Sequence, residues 1–403
     1  PRLSWRAEGE SLAAQVRAAA SEQDLSAGRL LWDSGRIAQA IPWIDWGAEA
    51  LADRQRVYWQ VRLEGKDGWG PWSPPAWFEA GLSQDQWTGD WVDAPGINSP
   101  LLRCVFAPQR EEAPVRARLY CGAGGFFEAR LNGQRLGDAV LAPLYTDYAT
   151  QTGYLSFDIK DQLRPGKNVL GILLGGGWYE RYGYGRRCVR CRLEIDWADG
   201  HRQVAAMKAN EWQAADGPWR REDIYDGEWY DARFQRPGWD LGEDGGGWLS
   251  CARGFAKRFG GEGTGGRMVG LIGPSIRVLS VKPVIAQRTA PGRLLVDVGE
   301  NVAGWLRLRV RADAGTTLAL RYAEMRTAEG DIDPLTNHGA AQEDRYTCAG
   351  GSQEVWEPRF TVHGFRYVAV TGPAAALDTV QLDLCRVASD VPEAAQFDCS
   401  DER

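Results

Sequence analysis

Two stretches of this chain carry side chains dense enough in reactive and ligand-holding groups to do chemistry. The first is LLGGGWYERYGYG, Leu173–Gly185. A glycine run can crowd backbone N–H groups around a phosphate, but a phosphate loop needs a lysine and a hydroxyl after its glycines. Here Trp178-Tyr179 follow Gly177, and no GxGxxG opens a helix, so a nucleotide cradle is excluded. What remains is sugar contact or packing. Indole and phenol rings stack on the C–H faces of sugars while carboxylates and amides hold the hydroxyls. Trp178, Tyr179, Glu180, Arg181, Tyr182 and Tyr184 supply such groups, and Trp178 can equally be core.

The second stretch is DIYDGEWYDAR, Asp223–Arg233. Asp223, Asp226, Glu228 and Asp231 have the oxygen chemistry of a calcium site. No EF-hand spacing is present. The residues favour the alternative, a rigid loop whose carboxylates accept backbone N–H groups and pair with Arg233. Elsewhere the signals are weaker. His363 has no nucleophile or partner near it in sequence and reads as a hydrogen-bonded structural histidine. Glu300 and Glu324 read as contacts to another domain. Asp401-Glu402, at the end of the chain, have no pocket around them that would support glycosidic acid/base chemistry. Cys188-x-x-Cys191 stands without a second pair or a histidine at zinc spacing, and reads as two strand cysteines.

These groups must be positioned by strands. Composition allows several cores: 403 residues, 44% hydrophobic, with 49 glycines and 19 tryptophans. At roughly 100–200 residues per domain, two to four domains are expected. A net charge of −7 without a basic stripe argues against nucleic acid and anionic membranes as partners. No apolar run approaches the ~20 residues of a membrane-crossing helix. Eight scattered cysteines are too dilute for a disulfide scaffold and point to a reducing compartment, with a bacterial cytoplasmic or periplasmic location both open.

RVYWQVRLEG (Arg56–Gly65) places Val57, Trp59, Val61 and Leu63 on one face at period two, the strand signature. Similar runs end in glycine turns, and Asn132-Gly133 and Asp199-Gly200 each predict a type I′ hairpin. SLAAQVRAAASEQDL is either a weak helix or a strand followed by a turn. The fold class is all-β, a series of tandem sandwiches. The Pro/Trp-rich Trp69–Leu82 closes a first unit, and the glycine-rich Gly254–Pro274 reads as a linker or long loop.

Several of these blocks occur together and in order in a known family. PRLSWR (Pro1–Arg6), LWDSG (Leu31–Gly35), LNGQRLGD (Leu131–Asp138), LAPLYTDY (Leu141–Tyr148), LLGGGWY, YDGEWYDAR, VDVGENVAGW and EPRFTVHGFRY (Glu357–Tyr367) resemble the amino-terminal, non-catalytic half of bacterial α-L-rhamnosidases. Leu144-Tyr145 stand where that family usually has Gly-Trp, and Glu300 where it has Gln. The resemblance implies a fibronectin-like sandwich over 1–82, a jelly roll over 83–272 and a further sandwich over 273–388. Residues 389–403 are then the lead into an (α/α) barrel holding the acid and base of an inverting hydrolysis, so no catalytic residue is expected here. It also implies a middle domain that holds rhamnose-containing glycosides with calcium. The sugar-binding positions carried over are Asn132, Trp178, Tyr179, Glu180 and Tyr182, and the calcium ligands Asp226 and Glu228. The alternatives are a free-standing carbohydrate-binding or adhesion protein, and a different glycosidase with similar accessory domains.

Overall fold

A computed structural model of the chain describes all residues except 8, 10, 39–40, 244, 255–256, 259–260, 263–265, 272, 392–398 and 401–403. Most of the expected lead into a barrel, and Asp401-Glu402, therefore lie outside the described residues. The chain divides into two compact units, Pro1–Gln86 and Trp87–Arg403.

In the first unit Ala13–Ala19 pairs antiparallel with Arg56–Gly65, flanked by Trp32–Asp33 and Ala76–Glu79. Val57 and Val61 are buried, and Trp59 and Leu63 pack half-buried against Leu3, Ala14 and Val16. The alanine-rich stretch is a strand, ended by Ser21, whose hydroxyl accepts from the Asp24 N–H and starts a short helix, Glu22–Ala27. Outside the core, guanidinium groups cover indoles. Arg17 lies 4.2 Å and Arg62 4.7 Å from the Trp72 ring, and Arg56 4.3 Å from Trp77. Much of the tryptophan here is thus sheet surface capped by arginine.

The second unit begins with a sandwich. One six-stranded sheet contains Phe126–Leu131, Asn168–Gly175 and Pro100–Phe106 as neighbours. The facing seven-stranded sheet is centred on Arg116–Gly124 and Cys188–Asp196. Their inner faces share one core, including Leu119, Ile172, Leu193 and Trp212. Asn132 and Gly133 take φ of 52° and 84° between the paired Leu131 and Gln134, the expected two-residue turn. The second hairpin differs. Gly200 alone turns left-handed, at φ 85°, and Trp197 N–H donates to His201 O across three residues. Asp199 keeps a right-handed backbone because its carboxylate accepts the His201 N–H, which selects the longer turn. Cys188 and Cys191 sit on a buried strand, and burial pushes the Cys188 thiol up to about 12.

A third, ten-stranded sheet follows, built on the 18-residue strand Arg293–Val310. Its first half pairs with His363–Thr371 and Ala286–Ala290. After a break in register between Asp297 and Val302, its second half pairs with Gln381–Ser389. The sheet packs a core around Leu306, Leu320, Phe365 and Val368. The sheet also takes in Trp219–Asp223 and Gly227–Asp231, from inside the 83–272 stretch. Gly227–Asp231 runs parallel to Glu343–Thr347. The acidic hairpin is therefore an edge of the third sheet, not a loop of the jelly roll. Within Gly254–Pro274, Arg267–Gly270 is a strand parallel to Gln151–Asp158.

Candidate functional site

The glycine run is a packing device. A Cβ on Gly175 would stand 2.5 Å from the Phe360 ring, and one on Gly177, at φ 48°, 2.8 Å from Phe126. Only a bare backbone lets Gly175 and Gly177 press against these two rings. The N–H a phosphate would use is occupied: Gly176 donates to Glu222 Oε1 at 2.9 Å, and Arg187 bridges Glu222 and Glu180.

The chain then makes one short helix, Gly177–Arg181. Trp178 and Tyr182, four residues apart, share a face. Their rings stack at 5.5 Å and 13°. Tyr145 meets both edge-on, at 6.4 Å and 6.0 Å, and Tyr225 meets Trp178 edge-on at 5.1 Å. Tyr145, Trp178, Tyr182 and Tyr184 line an open depression of about 610 Å³. Tyr145 and Tyr182 are 49% and 48% exposed, so ring surface faces solvent. Arg181 lies 5.0 Å from the Tyr225 ring and pairs with Asp223 at 3.0 Å, fixing the rim. A flat apolar face bordered by phenol hydroxyls can stack a sugar ring and bond its hydroxyls.

Trp178 and Tyr182 are brought together on this platform. The other sequence candidates are buried or already paired within the protein. Tyr179 is 2% exposed and lies among Tyr148 and Tyr184. Glu180 is spent on Arg187, accepting from its guanidinium at 2.5 Å and its N–H at 2.7 Å. Asn132 is buried. It donates to Gln162 O and Asn168 Oδ1 and accepts from Val169 N–H, all at 2.8–3.0 Å, so it locks the hairpin to its neighbours. Tyr225 was missed, although the aromatic density of DIYDGEWYDAR was a signal for it.

The calcium ligands do not fit an ion. Asp226 pairs with Arg221 at 2.8 Å and accepts from Ala341 N–H. Glu228 is fully buried. Its Oε1 accepts from the N–H groups of Arg359 and Phe360, and its Oε2 from Trp219 Nε1 at 3.1 Å. Burial and the adjacent Asp344 charge push its carboxyl up to about 8. A hard cation would require the opposite, an ionised carboxylate with unused oxygens. Among the described residues no three His, Cys, Asp or Glu side chains are grouped to hold a metal. Asp223 and Asp231 pair with Arg181 and Arg233, which is the rigid-loop reading. His363 is 1% exposed. Its Nε2 lies 3.0 Å from Asp344 Oδ2, and its ring stacks on Tyr322 at 4.0 Å. Glu300 pairs with Arg386, and Glu324 accepts from Asn301.

Three family models match the chain in order. Residues 1–84 match a Rha78A-like N-terminal immunoglobulin domain, 112–256 the alpha-L-rhamnosidase N-terminal domain, and 287–388 the bacterial alpha-L-rhamnosidase concanavalin-like domain. The first is immunoglobulin-like where a fibronectin-like sandwich was expected. An alpha-L-rhamnosidase of Streptomyces avermitilis is 39% identical over 64% of this chain and 25% of its own length. One of Formosa agariphila is 31% identical over 92% of this chain and 43% of its own. The structure of the alpha-L-rhamnosidase from Dictyoglumus thermophilum superposes with a TM-score of 0.88 at 28% identity, over 100% of this chain and 48% of that one. The chain thus spans less than half the length of each of these relatives. With three matched domains, their order and the whole-chain superposition agreeing, the chain belongs to the α-L-rhamnosidase family, as its amino-terminal run of β-domains.

Proposed function

We propose that this chain is the non-catalytic part of an enzyme that releases terminal α-L-rhamnose with inversion. Its β-domains brace a catalytic barrel, and its aromatic face holds rhamnose-bearing glycan near that barrel. The observation that carries the sugar-holding role is the solvent-facing stack of Trp178 on Tyr182, with Tyr145 edge-on. Rings stacked this way are worth about 0.5–1.5 kcal/mol each beyond area burial. A platform of this size therefore suits weak, exchangeable contact with a glycan chain. The role uses no calcium, since Asp226 and Glu228 are committed within the protein.

Calorimetry of the 1–403 chain with L-rhamnose and with a rhamnosyl oligosaccharide tests the reading. Heat is expected with the parent and at least ~5-fold weaker binding with Trp178→Ala. No heat from folded parent protein removes the sugar-holding role and leaves bracing alone. Turnover of an aryl α-L-rhamnoside by the 1–403 chain would defeat the non-catalytic reading.

A further inference from the structure

A second cavity, of about 450 Å³, lies where the six-stranded sheet of the sandwich meets the third sheet. That is within the roughly 300–1,000 Å³ of small-molecule pockets. Its aromatic wall includes Trp239, Trp356 and Tyr230. Trp356 is 5% exposed, and its Nε1 has no hydrogen-bond partner among the described residues. Its ring forms part of the wall, while the Nε1 atom itself is sealed from solvent.

The charges decide which acceptor. Every carboxylate lining the cavity is already bound to guanidinium. Glu128 meets Arg130, Arg359 and Arg135 at 3.1, 3.0 and 3.2 Å. Asp240 meets Arg130 at 2.5 Å, and Glu357 meets Arg307 at 3.1 Å. Arg359 uses only Nη1 on Glu128. Its Nε and Nη2 make no hydrogen bond to a described residue. The cavity thus offers ring faces and an unused guanidinium edge, while its acids are already engaged. Donors in excess of acceptors select a ligand with a carboxylate, which accepts only and fits a guanidinium edge in two bonds.

We propose that this cavity binds a uronic acid residue, its carboxylate on Arg359 and its ring face against Trp239. The site is separate from the platform at Trp178 and does not rest on it. It would let the protein recognise acidic glycans as well as the sugar that the family is named for.

The experiment is a calorimetric titration of the 1–403 chain with D-glucuronate and D-galacturonate, with D-glucose and D-galactose as neutral controls. Uronate binding is expected, with the neutral sugars at least ~10-fold weaker. Arg359→Gln should weaken uronate binding at least ~10-fold, Trp239→Ala similarly, and Trp239→Phe by no more than ~3-fold. Arg359→Lys, which keeps the charge beside Glu128 but loses the fork, covers the case in which Arg359→Gln does not fold, and should also weaken binding. Near-UV circular dichroism reports folding of each variant. No uronate binding by the folded parent, equal binding of neutral sugars, or uronate binding indifferent to every folded Arg359 variant would each overturn the proposal.

Discussion

Glu228 ties the acidic hairpin to the Arg359–Phe360 turn, and its removal should loosen the third sheet at that edge. The carboxyl is fully buried and takes three N–H groups, from Arg359, Phe360 and the Trp219 indole. In Glu228→Ala these donors lose their acceptor. At about 1–3 kcal/mol for each buried N–H left dry, and with one reached by water, the loss is roughly 2–6 kcal/mol. The pH dependence gives a second, independent magnitude. Burial raises the folded carboxyl from 4.5 to about 8, so the unfolded chain releases this proton before the folded one does. The contribution is complete below pH 4.5 and is lost as pH rises through 8. Over that interval one proton is worth about 1.4 kcal/mol per pH unit, so the loss is on the order of a few kcal/mol. Urea titrations of parent and Glu228→Gln at half-unit steps from pH 5 to 8, followed by near-UV circular dichroism, read the difference directly. The parent should lose stability with rising pH more steeply than Glu228→Gln, by up to one proton's slope. Parallel slopes across that range would show that Glu228 is ionised when folded and would refute the reasoning.

Asn132→Ala should destabilise the Trp87–Arg403 unit by about 1–3 kcal/mol in urea, through the Val169 N–H that loses its side-chain acceptor and the Gln162 carbonyl that loses its donor, and leave rhamnose affinity unchanged. Lost affinity in a folded variant would return Asn132 to the binding site. Chelation should not alter sugar binding: titrations in EDTA and in millimolar calcium should superimpose, and a calcium-dependent gain would contradict the committed state of Asp226 and Glu228. Native thiol titration at pH 8 should label the exposed Cys399 alone, because the other seven cysteines are buried and thiols such as Cys104, Cys188 and Cys251 are pushed up to about 12. Rapid labelling of Cys188 or Cys191 would show an accessible CxxC. Gly125→Ala should cost more than ~2 kcal/mol, since its Cβ would stand 2.2 Å from Gly175 O at φ 117°.

Strand periodicity and turn chemistry are local, so they were legible. Trp59, Val61 and Leu63 face one core because side chains alternate along any strand. Asn132-Gly133 turn as expected because few other residue pairs tolerate that backbone. The ordered family blocks were equally legible, and with them the all-β class and the family. Asp199-Gly200 marks the limit even at short range, where one side-chain hydrogen bond to His201 changed the turn.

The roles of individual polar residues were decided by partners distant in sequence. Trp178 and Tyr179 are neighbours in the chain, yet one faces solvent on a platform and the other lies beneath it, according to the direction in which a five-residue helix points them. Asp226 and Glu228 have the composition of a calcium site. They became structural because Arg221 lies across the hairpin from one, and the 359–360 turn, more than 130 residues on, closes over the other. The sequence by itself determined where strands form and which family they belong to, since these follow from side-chain alternation and turn geometry. Only the tertiary structure decided which acids and rings remain open to a ligand. A carboxylate's availability depends on the donors that long-range packing brings to it, and no local pattern encodes them.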